Sequence, residues 1–253
     1  MKILFIGNSF SVDVSTYMHE IAKAAGKELE VYVLYIGGCS VENHWKRYLA
    51  NDKAYEFYHN RVDQELMWSS LKEGLEFTDY DFVSFQQVSQ LSGDYDSYFP
   101  ELLLLMDAVR KHTKAQFVFH QTWSYAKTFS HVKYGSNPLN QNLMDKDIRS
   151  TYLRLSDFLK IPYIMPSGEA IRKARLVFGD ELNRDGFHLN ERGRTLCGYT
   201  LAYYLLGLDI DPSSFVPEGN SYGDGAVVDK KELPKLMEIA KETVLENKGH
   251  NLW

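Results

Sequence analysis

Three residues in distant parts of the chain have side chains that could perform nucleophilic chemistry together. Ser9 follows an apolar run at residues 3–6, and Asp185 stands three residues before His188. A serine hydroxyl becomes a strong nucleophile only when a neighbouring base takes its proton, and a carboxylate or carbonyl must orient that base. Asp185 and His188 supply both groups from one short segment, because their spacing allows a shared hydrogen bond within a turn. The chemistry that this set predicts is acyl transfer.

An alternation of strand-like and helix-like patterns indicates how these residues could meet. Strands are predicted at residues 3–6, 29–36, 81–85, 116–120 and 161–165, and the main helices at 13–25, 101–112, 139–159, 167–177 and 190–206. Such alternation is typical of a parallel sheet with helices on both faces. Parallel strands end at one shared edge of the sheet, so Ser9 and His188 are expected to lie at that edge.

Three stretches depart from the alternating pattern. Residues 53–68 contain two aromatic and apolar runs around a polar turn, which favours a hairpin insertion. Residues 126–138 are rich in Ser, Lys, Gly and Asn and are predicted to form an exposed loop or lid. A last amphipathic pattern over about 231–247 predicts a C-terminal extension helix. No linker divides the sequence, so we predict a single domain over residues 1–253.

Composition and charge exclude several classes of function. A net charge of -6 and the lack of a Lys/Arg-rich block argue against a nucleic-acid partner. No apolar run approaches the ~18 residues that a membrane-spanning helix needs, so no membrane contact is expected. The histidines lack a metal-ligand spacing such as His-x-x-x-His, and we expect neither a metal nor another cofactor. No sequence feature predicts an oligomeric state.

The cysteines and the first residues of the sequence indicate the cellular compartment of the protein. Cys39 and Cys197 are too few for a disulfide framework and suit a reducing environment. The first residues lack the apolar core of a signal peptide. The sequence as given therefore predicts a cytoplasmic protein, with an exported mature form as the alternative.

Three short blocks resemble those of the SGNH (GDSL-type) hydrolases. Gly7-Asn8-Ser9-Phe10 is similar to their Gly-Asp-Ser-Leu block, and Asp185-Gly186-Phe187-His188 is similar to their Asp-x-x-His block. Gly38, after the second predicted strand, matches the glycine of the second block. The usual third block, Gly-x-Asn-Asp, is absent, and Gln86-Gln87-Val88-Ser89-Gln90 occupies its place. The resemblance covers residues 1 to about 206.

The resemblance implies both a fold and an activity. The fold is a flavodoxin-like three-layer α/β/α sandwich around a five-stranded parallel sheet. The activity is that of an esterase or deacylase with a Ser9–His188–Asp185 triad. By family analogy the substrate is a short-chain ester, acetyl first, of a carbohydrate or another small molecule. Two alternatives stay open: a lipid or thioester acyl hydrolase, and a non-catalytic ligand-binding relative of the same fold.

The resemblance also implies an oxyanion hole. Its donors would be the backbone N–H groups of Ser9 and Gly38 and one side-chain amide. A hole that lacks one donor typically loses ~10²–10³ in rate, so the identity of the amide matters. Because the family's asparagine is missing, we choose Gln87 for this role, with Gln86 and Gln90 as alternatives.

Polar and aromatic side chains at the predicted strand ends are candidates for substrate binding: Asn8, Gln86, Gln90, Trp123 and Tyr125. Asn8 stands beside the proposed nucleophile. Trp123 and Tyr125 follow the fourth predicted strand and would reach the same edge, although aromatic residues there are as often part of the core. The glutamines could equally be satisfied core amides.

Overall fold

The computed structural model describes residues 1–219, 228–247 and 249–252. The strands are β1 (Lys2–Gly7), β2 (Glu30–Tyr35), β3 (Tyr55–His59), β4 (Arg61–Ser69), β5 (Phe82–Phe85), β6 (Gln116–His120), β7 (Ser130–His131), β8 (Gly135–Ser136) and β9 (Ile164–Met165). The helices are α1 (Ser9–Ser15), α2 (Met18–Ala24), α3 (Val41–Ala50), α4 (Leu71–Glu76), α5 (Glu101–Arg110), α6 (Gln141–Leu159), α7 (Ser167–Phe178), α8 (Glu191–Leu206) and α9 (Leu233–Glu246).

Five parallel strands make up most of the main sheet, in the order β2-β1-β5-β6-β9. Counted among themselves, these strands run in the order 2-1-3-4-5, which is the flavodoxin-like arrangement. Helices α1, α2, α7, α8 and α9 pack together, and α3, α4 and α5 form a second group, so that helices cover both sides of the sheet. The predicted three-layer α/β/α sandwich is confirmed.

A hairpin makes the sheet larger than predicted. β3 and β4 form the expected hairpin over residues 53–68, and β3 pairs antiparallel with β2. The sheet therefore has seven strands and is mixed, and the expectation of five parallel strands holds for the part from β2 to β9. The hairpin covers backbone groups that β2 would otherwise expose at the edge of the sheet. The sequence pattern showed the two strands but not the edge to which they attach.

The first helix begins earlier than predicted and is broken in two. Asn8 caps α1, because its Oδ1 accepts a hydrogen bond of 3.1 Å from the Phe10 N–H. Residues 16–17 then separate α1 from α2. The helix predicted over 13–25 is therefore two short helices, and the first begins at Ser9 itself. A Cβ at Gly7 would collide with the next turn of α1, so this direct passage from strand to helix needs a glycine.

The remaining predicted elements differ from the structure mainly at their ends. The predicted lid over 126–138 contains a small hairpin, β7–β8, and the last predicted strand is reduced to β9. The predicted C-terminal helix is α9, which packs on α7 and α8 and joins the same hydrophobic core as β1. Residues 220–227, 248 and 253, which belong to the predicted single domain, lie outside the described residues. Within the described residues, no helix has the length and apolar character to span a membrane.

Candidate active site

Ser9, His188 and Asp185 form a chain of hydrogen bonds where the parallel strands end, which we call the carboxyl edge. Ser9 Oγ lies 2.8 Å from His188 Nε2, and His188 Nδ1 lies 2.6 Å from Asp185 Oδ2. Ser9 is half-buried, and the side chain of His188 is 18% exposed, so both can be reached from solvent. The tertiary structure thus brings together the three residues that the sequence singled out, in the order that nucleophilic catalysis requires.

The surroundings of Asp185 keep its carboxylate ionised. Partial burial raises the pKa of Asp185, but hydrogen bonds from the His188 ring and from the backbone N–H groups of His188 and Phe187 outweigh it, and the pKa lies below its ordinary value. These backbone bonds to Oδ1 measure 2.8 Å and 3.2 Å. An ionised carboxylate at Nδ1 favours the tautomer that carries its proton there. Nε2 of His188 is then able to accept the proton of Ser9.

Asp13, one helical turn after Ser9, fastens the segment that carries the histidine to α1. Its buried carboxylate accepts a hydrogen bond of 2.8 Å from the Leu189 N–H through Oδ2. Oδ1 accepts from Arg184 at 3.0 Å and from two nitrogens of Arg194 at 2.9 Å and 2.8 Å. Residues i and i+4 lie on the same face of a helix, so Ser9 and Asp13 face this segment together.

The ion cluster around Asp13 continues into α8. Arg194, which is fully buried, also donates a hydrogen bond of 3.1 Å to Glu191, and Glu191 accepts one from the Tyr17 hydroxyl. Sequence reasoning missed this cluster. Asp13 and Arg194 are 181 residues apart, and no short motif marks their pairing. An aspartate within the first amphipathic helix was the only signal available.

The N–H groups of Ser9 and Gly38, both at the carboxyl edge, have no hydrogen-bond acceptor among the residues that the structure describes. Ser9 is the first residue of α1, where helix N–H groups have no partner within the helix. Gly38 lies in a turn after β2 that a hydrogen bond of 3.2 Å from the Cys39 N–H to the Ile36 carbonyl closes. Its φ of +61° is one that glycine adopts easily.

Asn8 joins the ends of three strands and does not face a substrate. Its Nδ2 donates to the Cys39 carbonyl at 3.1 Å, and its Oδ1 accepts from the Phe10 N–H and from Gln86 Nε2 at 3.1 Å and 2.7 Å. The side chain is buried, and both ends of its amide are used within the protein. The prediction that Asn8 binds substrate is therefore wrong. It holds the turns that carry the proposed oxyanion donors.

Gln87 does not have a free amide to complete the oxyanion hole. It is fully buried, and its Nε2 donates to the Ser97 carbonyl at 2.9 Å. Its Oε1 accepts from the N–H groups of Val41 and Val88, each at 2.9 Å. The prediction that Gln87 donates to the oxyanion is therefore wrong. It is a satisfied core amide that braces the loop after β5.

The other two glutamines differ from each other. Gln86 is buried and bonded at both ends, since its Nε2 donates to Asn8 and its Oε1 accepts from the Ser11 hydroxyl. Gln86 is therefore excluded as a donor and as a substrate contact. Gln90 is exposed, and within the described part of the chain its side-chain amide makes no hydrogen bond. Of the three glutamines, only Gln90 has an amide available to a ligand.

Trp123 packs and hydrogen-bonds next to the proposed base. Its ring is fully buried and stacks on Phe10 at a centroid distance of 4.1 Å and an interplanar angle of 2°. Its Nε1 donates to the Phe187 carbonyl at 2.8 Å, next to His188. The prediction that Trp123 lines a substrate cleft is wrong, because its face and its N–H are both occupied.

A cavity of about 430 Å³ opens beside the proposed base, and we call it the aromatic cavity. Its walls include Gln90, Leu91, Tyr125, Phe129, Val132 and Phe187. The ring of Phe187 lies 4.0 Å from the ring of His188, centroid to centroid. Tyr125, buried and bonded through its hydroxyl to Ser89 at 2.8 Å, presents its ring to this cavity. Gln90 and Tyr125 thus stay candidates for substrate binding.

The lid segment is packed directly against the segment of the triad. The Ala126 N–H donates to the Gly186 carbonyl at 2.7 Å. Gly186 has a φ of +94°, and a Cβ there would lie 2.7 Å from the Phe129 ring. Only glycine fits this contact without displacement. The glycine between Asp185 and His188 therefore has a steric role that the sequence motif leaves unspecified.

The fold and the site define a class: a flavodoxin-like α/β sandwich with a Ser–His–Asp hydrogen-bond chain at its carboxyl edge. The chain belongs to the family described as Domain of unknown function (DUF4886), whose model matches residues 2–233. The crystal structure of a DUF4886 family protein from Bacteroides uniformis ATCC 8492 is similar, with 32% sequence identity and a TM-score of 0.86. The match covers 100% of this chain and 98% of that one.

More distant structures share the fold. A protein from Slackia heliotrinireducens, whose assignment as an SGNH hydrolase is itself provisional, matches at 22% identity and a TM-score of 0.55, covering 80% of this chain and 97% of its own. A protein from Parabacteroides merdae ATCC 43184, provisionally assigned as a GDSL-like lipase, matches at 14% identity and a TM-score of 0.50, covering 78% and 91%. No curated protein matches the chain in sequence.

Proposed function

We propose that this protein is a carboxylic ester hydrolase in which Ser9 is the nucleophile, His188 the general base and acid, and Asp185 the residue that orients the histidine. The observation that carries the proposal is the continuous hydrogen-bond chain from Ser9 Oγ through the imidazole to Asp185. Ser9 and His188 are 179 residues apart, so local sequence does not account for their contact. The start of a helix at Ser9 and a loop at His188 do not by themselves require this contact.

The proposed reaction has two halves. His188 Nε2 takes the proton of Ser9 while Oγ attacks the ester carbonyl, and the N–H groups of Ser9 and Gly38 stabilise the oxyanion. The tetrahedral intermediate collapses to an acyl-enzyme as His188 protonates the leaving alcohol. Water, deprotonated by His188, then attacks the acyl-enzyme and releases the acid. In this proposal the oxyanion hole consists of two backbone donors, because the side-chain amides of Gln86 and Gln87 already donate hydrogen bonds within the protein.

The substrate part of the proposal is a short-chain ester, acetyl first, of a carbohydrate or another small molecule. It rests on the resemblance to SGNH hydrolases and on the aromatic side chains near the site. A second candidate is an acyl hydrolase for lipids or thioesters. The apolar walls of the aromatic cavity favour it, because they match an apolar portion of a substrate better than a hydroxylated one.

A fluorophosphonate probe followed by peptide mass spectrometry tests the proposed nucleophile. We expect labelling of Ser9 in the folded protein at neutral pH, and loss of both labelling and aryl acetate hydrolysis in Ser9→Ala. The matched control is Ser213→Ala, an exposed serine far from the triad in sequence, which should retain both. A folded protein whose Ser9 stays unlabelled would be the non-catalytic ligand-binding relative, and the hydrolase proposal would fall.

A further inference from the structure

The aromatic cavity and the proposed oxyanion donor Gly38 lie on opposite sides of Ser9 in the strand order. Along the order β2-β1-β5-β6, Gly38 follows β2 and Ser9 follows β1, whereas Gln90 follows β5 and Tyr125 follows β6. Neighbouring strands are about 4.8 Å apart, so the cavity begins one or two strand spacings from Ser9. If the carbonyl oxygen of an ester faces the proposed oxyanion donors, either its acyl chain or its alkoxy group must point towards the ends of β5 and β6.

The position of His188 decides which substituent this is. In ester hydrolysis the general acid must reach the alkoxy oxygen in order to protonate the leaving group. Phe187 packs its ring 4.0 Å from the His188 ring, and the same Phe187 forms a wall of the cavity. The alkoxy oxygen of a bound ester would therefore lie nearest the cavity mouth. The alcohol portion of the ester, rather than its acyl chain, would lead into the cavity.

The walls determine the chemistry of that portion. Tyr125, Phe129 and Phe187 pack against one another with their ring centroids 5.1–5.6 Å apart and form an aromatic wall of the cavity, and Leu91 and Val132 add aliphatic surface. No Asp, Glu, Lys or Arg is among the described residues that line it. A volume of about 430 Å³ lies within the range of about 300–1,000 Å³ for small-molecule pockets. Aromatic walls favour rings in offset or edge-to-face contact.

We propose that the aromatic cavity is the subsite for an apolar, ring-bearing alcohol or phenol, which leaves as the ester is cleaved; this rests on the proposed function. A sugar fits less well, because its several hydroxyl groups would meet few polar partners there. The polar residues that line the cavity are Gln90, which has a free amide, and Ser130 and His131 of the β7–β8 hairpin. The subsite thus narrows the substrate to esters whose leaving group is compact and mainly apolar.

Pairs of esters that share an acetyl group test the subsite. We expect kcat/KM to be about tenfold higher for 2-naphthyl acetate than for phenyl acetate, whose phenols are similar in acidity, because a larger ring fills more of the cavity. Benzyl acetate should exceed ethyl acetate by a similar factor, and acetylated glucose should be a poorer substrate than benzyl acetate. Equal rates within these pairs, or a preference for the sugar ester, would overturn the proposal.

Leu91→Trp places a large side chain at the cavity. It should lower the ratio of kcat/KM for 2-naphthyl acetate to that for ethyl acetate by about tenfold or more. The matched control is Leu104→Trp on α5, since Leu104 and Leu91 are 40% and 36% exposed, and it should leave the ratio unchanged. A Leu91→Trp protein that loses activity on both esters to the same extent contradicts the subsite.

Binding of 2-naphthol separates a wrong subsite from a wrong function, because it needs no nucleophile. We expect 2-naphthol to bind to wild type and to Ser9→Ala with similar affinity, and about tenfold more weakly to Leu91→Trp. Labelled Ser9 without binding of 2-naphthol would refute the subsite and leave the hydrolase standing. Unlabelled Ser9 and no turnover of any ester would refute the hydrolase, and 2-naphthol binding would still decide whether the cavity takes apolar rings.

Discussion

Replacement of Asp13 by asparagine should separate the proposed base from its nucleophile. Within the part of the chain that the structure describes, the carboxylate accepts hydrogen bonds from Leu189, Arg184 and Arg194 and makes none with a member of the triad. Asparagine has the same shape, but its NH₂ group would face one of these donors. The substitution therefore removes the negative charge between two guanidinium groups and leaves at least one buried N–H without an acceptor.

The size of the effect follows from burial. Breaking a buried ion pair by removing one partner typically costs about 3–5 kcal/mol. Arg194 and Asp13 are fully buried, but the side chain of Arg184 is 18% exposed and can turn to water. We therefore expect a loss of about 3 kcal/mol in the free energy of unfolding. Domains typically have about 5–15 kcal/mol, so the variant should still fold.

The catalytic effect is separate from the loss of stability. Leu189 directly follows His188, so a Leu189 N–H without its acceptor allows the imidazole to shift from Ser9. A misplacement of about 1 Å can cost about 10²-fold in rate. We expect kcat for an aryl acetate to fall about 10²-fold at a temperature where the variant is folded. KM should change little, because Asp13 does not reach the aromatic cavity walls.

Urea denaturation, steady-state kinetics and the rate of fluorophosphonate labelling together measure these effects. Asp157→Asn is the matched control, since Asp157 is 87% exposed and pairs with Lys160 on the surface, and it should change neither stability nor kcat. Arg184→Met, at the partly exposed end of the cluster, is a milder second variant. Wild-type kcat in both Asp13→Asn and Arg184→Met would refute the positioning role of the cluster.

Three further perturbations test the site and the core. Asp185→Asn should lower kcat for an aryl acetate by about 10³-fold through loss of the correct imidazole tautomer; a loss below tenfold would contradict the triad. Gly186→Ala should destabilise the protein to urea by about 1–3 kcal/mol, because its Cβ meets Phe129 at a φ of +94°, and an unchanged midpoint would contradict this contact. Burial lowers the pKa of His44 and of His120 to about 3, from 6.5, so as the pH falls below 6.5 the unfolded state takes up the protons first. Each histidine should therefore cost about 1.4 kcal/mol of stability by pH ~5.5. This account would be contradicted if the urea midpoint does not decrease as the pH is lowered from ~7.5 to ~5.5. It would also be contradicted if the midpoint decreases by the same amount in His44→Gln.

Local patterns in the sequence predicted the layer architecture but not the edge of the sheet to which the hairpin attaches. Strand and helix periodicity predicted the five parallel strands and the hairpin over 53–68, because side-chain alternation reflects which face of an element is buried. The chemistry of Ser9, Asp185 and His188 selected the three residues that the fold brings into contact. Each of these inferences depends on residues a few positions apart, where spacing determines geometry.

The sequence alone did not determine where side chains point at the strand ends. Gln87 and Gln90 stand three positions apart in one polar cluster, but one is bonded within the core and the other is exposed. Likewise Asp13 holds the histidine segment only because folding brings the Leu189 N–H to it from 176 residues away. Hydrogen-bond partners of buried polar groups come from distant segments, and tertiary packing decides which of them are available. The sequence therefore determined the fold class and the triad candidates, and only the tertiary structure decided which amides and charges support them.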